Sequence, residues 1–87
     1  MEISFTLIAW EEYLHWQVTD KRTLKKIHTL LKDVARNPYT GIGKPEQLKG
    51  ELVGYYSRRI DDKNRLVYKV DDERVRIFQC GTHYRDK

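Results

Sequence analysis

A small set of residues in the second half of the chain could together move protons around a phosphate. Glu46 lies in the stretch KPEQLKG, residues 44–50, between Lys44 and Lys49 and bounded by Gly43 and Gly50. Arg58, Arg59 and Arg65 follow it, and His83 and Tyr84 stand near the end in THYRDK. A metal-free ribonuclease needs this inventory. Its base takes a proton from a 2′-hydroxyl, its acid gives one to the leaving 5′-oxygen, and its cations meet the charge that builds on the phosphoryl oxygens. An unperturbed Glu titrates near ~4.3 and an unperturbed His near ~6.5, so at neutral pH the first accepts and the second can donate beside a phosphate. Arginine suits the phosphate because its fork is planar and permanently charged.

Each residue has a plainer reading. Glu46 could be a solvated loop residue paired with Lys49. His83 could be a surface residue near a terminus. His15 and His28 fall on helices and read as structural or solvent-facing. Trp10 and Trp16 read as core or interface aromatics, and Tyr55, Tyr56 and Tyr68 as sheet packing. Arg58 and Arg59 are neighbours on a strand, so they point to opposite faces. Whether Arg59 and Arg65 share a face depends on the hairpin register: an odd number of loop residues puts them together, an even number separates them, and the residue pattern leaves that open.

The elements that would position these groups can be read along the chain. EISF, residues 2–5, alternates as a strand, and Thr6 can cap the helix that follows. In LIAWEEYLHWQ, Leu7, Trp10 and Leu14 form an apolar stripe at helical spacing. Thr19 or Asp20 caps a second helix, KRTLKKIHTLLKDVAR, with Leu24, Ile27, Leu31 and Val34 expected to be buried. Asn37-Pro38 ends it. The glycine-rich connector YTGIGKPEQLKGELVG is long for a compact domain, and such connectors are often functional. GYYSRRID, RLVYKVD and RVRIFQCG then alternate as three strands joined by DDKN and DDE turns. The expectation is an α+β fold over residues 1–87: two helices packed on one face of a small antiparallel sheet, made of the N-terminal strand and a C-terminal meander. The other face would carry the chemistry.

Composition sets the frame. The chain has 87 residues, 39% of them hydrophobic and 34% charged, with a net charge of +4. That suits one soluble domain with a thin stability margin. The positive balance permits a phosphate-bearing partner. Cys80 is the single cysteine, so no internal disulfide forms and a reducing, cytoplasmic compartment fits best. MEISFTLIAW has an acid where a signal peptide needs a base, and Glu11 and Glu12 come too soon for a membrane span.

Taken together in order, WQVTDKR, GKPEQLK, SRRI, RLVY and the late HY pair resemble the YoeB toxins, a branch of the RelE superfamily of bacterial toxin–antitoxin systems. The resemblance runs from about Trp10 to Tyr84. It implies an endoribonuclease that cuts messenger RNA in the ribosomal A site, without metal or cofactor, leaving a 2′,3′-cyclic phosphate. It implies Glu46 as general base, His83 as general acid and Arg65 as the transition-state cation. Tyr84 orients substrate, and Lys49 and Arg59 face phosphate. It also implies a YefM-like antitoxin partner and a homodimer. The charged tail Arg85-Asp86-Lys87 extends past the point where the family pattern often stops. Two other readings compete. One is a non-catalytic toxin of the same fold, like the ParE branch that acts on DNA gyrase. The other is an RNA-binding module that acts by binding alone.

Overall fold

The structure, a computed structural model, describes residues 1–82, and of Thr82 the backbone only. Strand β1 (Glu2–Phe5) leads through Thr6 into helix α1 (Leu7–Thr19), and the Thr6 hydroxyl accepts the Ala9 N–H as an N-cap. Helix α2 (Lys21–Arg36) begins at Asp20, whose carboxylate accepts the N–H groups of Arg22 and Thr23. The connector then contributes a two-residue strand, β2 (Glu46–Gln47), and one 3₁₀ turn, Gly50–Leu52. Strands β3 (Tyr56–Arg59), β4 (Asn64–Asp71) and β5 (Arg74–Thr82) form the expected meander. The sheet order is β1-β5-β4-β3-β2. The α+β plan therefore holds, with two additions: the connector supplies a fifth strand, and β1 runs parallel to β5, which makes the sheet mixed.

The helices cover one sheet face. Ile27, Leu30 and Val34 of α2 and Ala9 of α1 are buried against Leu66, Tyr68, Val75, Ile77 and Cys80. This corrects the expected stripes. On α2 the buried line passes through Leu30, while Leu24 and Leu31 lie at its half-covered edge. On α1 the Leu7–Trp10–Leu14 stripe faces outward, with Leu7 71% exposed, and Ala9, Tyr13 and Trp16 turn inward. The small Ala9 lets α1 approach the sheet closely, and the two aromatics fill the space beside it.

One polar group crosses this core. Arg58 of β3 is fully buried. Its Nε donates to the Tyr68 hydroxyl at 3.0 Å, one terminal nitrogen to Asp33 and the Ile42 carbonyl, and the other to the carbonyls of Asn37 and Thr40. A guanidinium has five N–H donors, so every one is used. The Tyr68 hydroxyl passes its own hydrogen to the Pro38 carbonyl at 2.6 Å. These bonds gather residues 37–42 into a tight loop around the arginine head. Gly41 and Gly43 make the approach possible. Both have positive φ, and a Cβ on Gly41 would fall 1.9 Å from the Asp33 carboxylate, one on Gly43 2.9 Å from Leu30. The Arg58 hydrogen bond, followed by one from the Ile42 N–H, holds Asp33 below its ordinary carboxylate range.

Three outcomes are expected. Arg58→Met lowers stability by about 3 kcal/mol, since buried acceptors and Asp33 lose their partner; urea unfolding reads it. Arg58→Lys recovers little, because an ammonium cannot reach carbonyls on several sides at once. Asp33 sets the pH signature. Its folded value is depressed, so its contribution is complete above its ordinary 3.8 and is lost as pH falls through the lower folded value. An Arg58→Met chain should lose that acid-limb dependence, and an unchanged acid limb would count against the pairing.

Candidate active site

The face away from the helices carries three of the candidate residues, Glu46, Arg59 and Arg65. Pairing between β3 and β4 sets Arg59 directly opposite Arg65, so the two arginines share a face. Arg58, one residue earlier, is on the helix side. The hairpin register thus answers the question that the residue pattern left open, and it removes Arg58 from the cations available to a ligand. Glu46 pairs opposite Ser57 across β2 and β3, and Ser57 is two residues from Arg59. Glu46 therefore lies on the arginine face, where its Oε1 is 3.9 Å from Nη1 of Arg65. The contact is loose, and most of the Glu46 side chain remains in water. Arg59 and Lys49 are exposed. Among the described residues Lys49 forms no ion pair with Glu46, so the carboxylate's cation is Arg65.

The connector is held so that Glu46 cannot drift far. The Arg59 N–H donates to the Gly43 carbonyl at 2.7 Å, and the Leu48 N–H to the Tyr55 carbonyl at 2.9 Å, one on each side of β2. The Gln47 amide reaches the Tyr56 hydroxyl at 3.0 Å. Gly43 and Lys44 both take positive φ, which turns the chain from the Arg58 loop into line with β3. Leu48 then folds over the arginine face and is buried there, outside the main cluster, as is Val67 of β4.

His83 and Tyr84 lie outside the described residues, as does the Arg85-Asp86-Lys87 tail. The strand that leads to them is described, and it is gripped from an unexpected side. β1 pairs with β5 only as far as Ile77, opposite Phe5. Beyond that point α1 takes over the edge. The Thr6 hydroxyl donates to the Phe78 carbonyl at 3.3 Å, Glu12 accepts the Cys80 N–H at 2.8 Å, and the Trp16 indole donates to the Cys80 carbonyl at 2.8 Å. Helix side chains thus replace a missing strand along the last turn of sheet. Residue types alone did not reveal these positions; a Glu and a Trp four apart on one helix face were the available signal. The Cys80 thiol points into the core, where burial, with the Glu12 charge adding to it, pushes it up to about 12. Among the described residues no group of three or more His, Cys, Asp or Glu could hold a metal ion, and no helix is long and apolar enough to cross a membrane.

Removing the clamp should loosen the end of β5 without melting the sheet. Glu12→Ala is expected to speed amide exchange at Cys80 by roughly tenfold or more, the worth of a hydrogen bond to a charged acceptor, while Leu66 in the sheet centre keeps its protection. Equal acceleration at both amides would show that Glu12 acts on global stability instead. The thiol should resist alkylation at neutral pH until the chain unfolds.

Comparison with known proteins agrees with this architecture. A family model of YoeB-like toxins of bacterial type II toxin–antitoxin systems matches residues 5–84. The Toxin YoeB of Streptomyces coelicolor is 52% identical over 84 residues, covering 97% of this chain and all of that one. A YoeB/ParE toxin from Agrobacterium tumefaciens superposes with a TM-score of 0.94 at 44% identity, over 97% of this chain and all of that one. YoeB of Staphylococcus aureus, solved as a dimer and in a heterotetrameric complex with YefM, superposes at 0.89 with 50% identity, over 97% of this chain and 98% of that one. The chain belongs to the YoeB-like toxins of bacterial type II toxin–antitoxin systems.

Proposed function

We propose that this toxin is a ribosome-dependent endoribonuclease that cuts messenger RNA in the A site by metal-free acid–base catalysis. The observation that carries the proposal is the shared face of Glu46, Arg65 and Arg59, with a carboxylate and a guanidinium 3.9 Å apart on strands held by backbone bonds. Glu46 takes the proton of the 2′-hydroxyl. The 2′-oxygen attacks the adjacent phosphorus, and the P–O5′ bond breaks. Arg65 meets the charge on the phosphoryl oxygens, and Arg59 and Lys49 hold the flanking phosphates. His83 gives a proton to the leaving 5′-oxygen, and Tyr84 orients the substrate. The products are a 2′,3′-cyclic phosphate and a 5′-hydroxyl. The loose Glu46–Arg65 contact suits this division of labour, because a phosphate can enter between them without breaking a tight, buried pair.

The chain works with partners. A YefM-like antitoxin would restrain it and a second copy would complete a dimer; the Staphylococcus aureus protein is found in a complex with YefM and as a dimer. The outward stripe of Leu7, Trp10, Leu14 and Val18 on α1 is apolar surface of the kind that such partners cover.

Glu46→Gln keeps the size and hydrogen-bonding reach of the side chain but cannot take a proton at neutral pH. In a translating extract it should cut messenger about 10²–10⁴-fold more slowly, with cyclic-phosphate ends lost in step. Cleavage at full rate by this variant would refute the base assignment. Growth arrest with intact messenger would instead support a toxin that acts by binding alone.

A further inference from the structure

The arginine face continues past the Glu46–Arg65 pair. By strand alternation Tyr55 stands on the side of Ser57 and Arg59, and Lys69 on the side of Arg65 and Val67. Arg76 pairs opposite Lys69. Between Val67 and Tyr68 the register to β5 slips, so Phe78 is an extra residue bulged from the ladder. Its ring meets that of Tyr55 at 5.3 Å between centroids, and the Lys69 ammonium sits 5.5 Å from the Tyr55 ring centre. Phe78 remains 38% exposed, and Lys69 and Arg76 are exposed. On the same face Val67 of β4 is 1% exposed. The buried hydroxyls that lack a partner among the described residues, Ser4 and Ser57, fall on this same face by register. Ser4 is opposite Arg76, and Ser57 is opposite Glu46.

Packing against each other explains why positions 55 and 78 carry rings. It does not explain an aromatic pair with open outer surface and two cations at its border, next to a face that already gathers Arg59 and Arg65. The Tyr55 and Phe78 rings are tilted by 56° to each other. Exposed aromatic rings edged by cations are how proteins hold single-stranded nucleic acid: a base lies on a ring and the backbone on the charges. We propose that Tyr55 and Phe78 form a nucleobase-stacking subsite, with Lys69 and Arg76 as its phosphate contacts. The subsite takes a nucleotide of the single-stranded RNA that flanks the scissile bond and does not contain it. Lys69 is four residues from Arg65, about 13 Å along β4, which separates this subsite from the reaction centre. The acids on the face stand at its ends. Glu46 belongs to the reaction centre; Asp71, the last residue of β4, is opposite Arg74, and Glu2 is paired with Arg74 at 3.6 Å. The subsite rests on the nuclease reading for its RNA.

The test uses the full chain carrying Glu46→Gln and a fluorescein-labelled single-stranded RNA nonamer. Phe78→Leu and Tyr55→Leu keep apolar bulk at each position but remove a π-face. Each is expected to weaken binding roughly tenfold, the worth of one stacked base. An abasic nucleotide at the subsite position should cost the parent the same factor and the leucine variants nothing more. Lys69→Ala should reduce the salt slope of log K by about one phosphate contact. Leucine variants that bind the nonamer as the parent does would overturn the subsite. So would variants that keep RNA binding and lose only an acidic peptide partner, which would give the patch to a protein. The two readings fail separately. RNA bound through the patch with messenger left uncut by the wild-type chain defeats the nuclease alone. Messenger cut by Phe78→Leu with unchanged KM and unchanged binding defeats the subsite alone.

Discussion

The saturated Arg58 guanidinium is the contact on which the rest of the molecule depends. A buried charge with even one idle N–H would be costly, and a charge with five satisfied ones becomes a rigid junction. Its partners come from the end of α2, from the first residues of the connector and from β4. Three segments distant in sequence therefore share one fixed point. The connector leaves that point through Gly41 and Gly43, whose backbone few other residues could adopt at such close quarters. It reaches β3 already aimed for pairing. Glu46 is thus positioned from inside the core, although its own side chain is in water.

Strand alternation divides labour between neighbours. Arg58 and Arg59 differ by one residue and by everything else: one is sealed in the core, the other exposed beside Arg65. The same alternation separates Tyr56 and Tyr68, which stack on the helix side, from Tyr55 on the arginine face. A sheet only one layer thick can then keep a polar junction beneath and a cationic surface above, each lined by residues adjacent in the chain. Sliding the β3–β4 register by one residue would exchange the two sets, and the buried junction makes that slip expensive.

Much of this could be read beforehand. The helix boundaries followed from Thr6, Asp20 and Asn37-Pro38, because caps and proline act locally. The three long strands followed from alternation. What escaped depended on contacts distant in sequence. β2 is two residues long, Glu46 and Gln47, and follows Pro45, with no apolar alternation to announce it; it exists because β3 offers it bonds. The parallel pairing of β1 is a matter of topology. Arg58 reads from sequence as one of the candidate phosphate cations, since nothing local says that three carbonyls will converge on it. Arg59 and Arg65 were visible as candidates, but only the hairpin register, with Arg59 directly opposite Arg65, puts them together.

The α1 stripe shows a different limit. Leu7, Trp10 and Leu14 repeat at helical spacing and were expected to face the core, yet the sheet receives Ala9, Tyr13 and Trp16. The helix is apolar on two sides. Periodicity reports that a surface prefers to leave water, and it cannot say whether the chain itself or another molecule provides the shelter. Here the inward side is chosen by what α1 must do for β5. Trp16 and Glu12 have polar atoms that satisfy the Cys80 carbonyl and N–H, and Ala9 is small enough to bring them within reach. Leucines at those positions would bury as much carbon and leave the strand's last peptide groups without partners. Hydrogen-bond demand at an unfinished sheet edge, more than hydrophobicity, decides which way this helix turns.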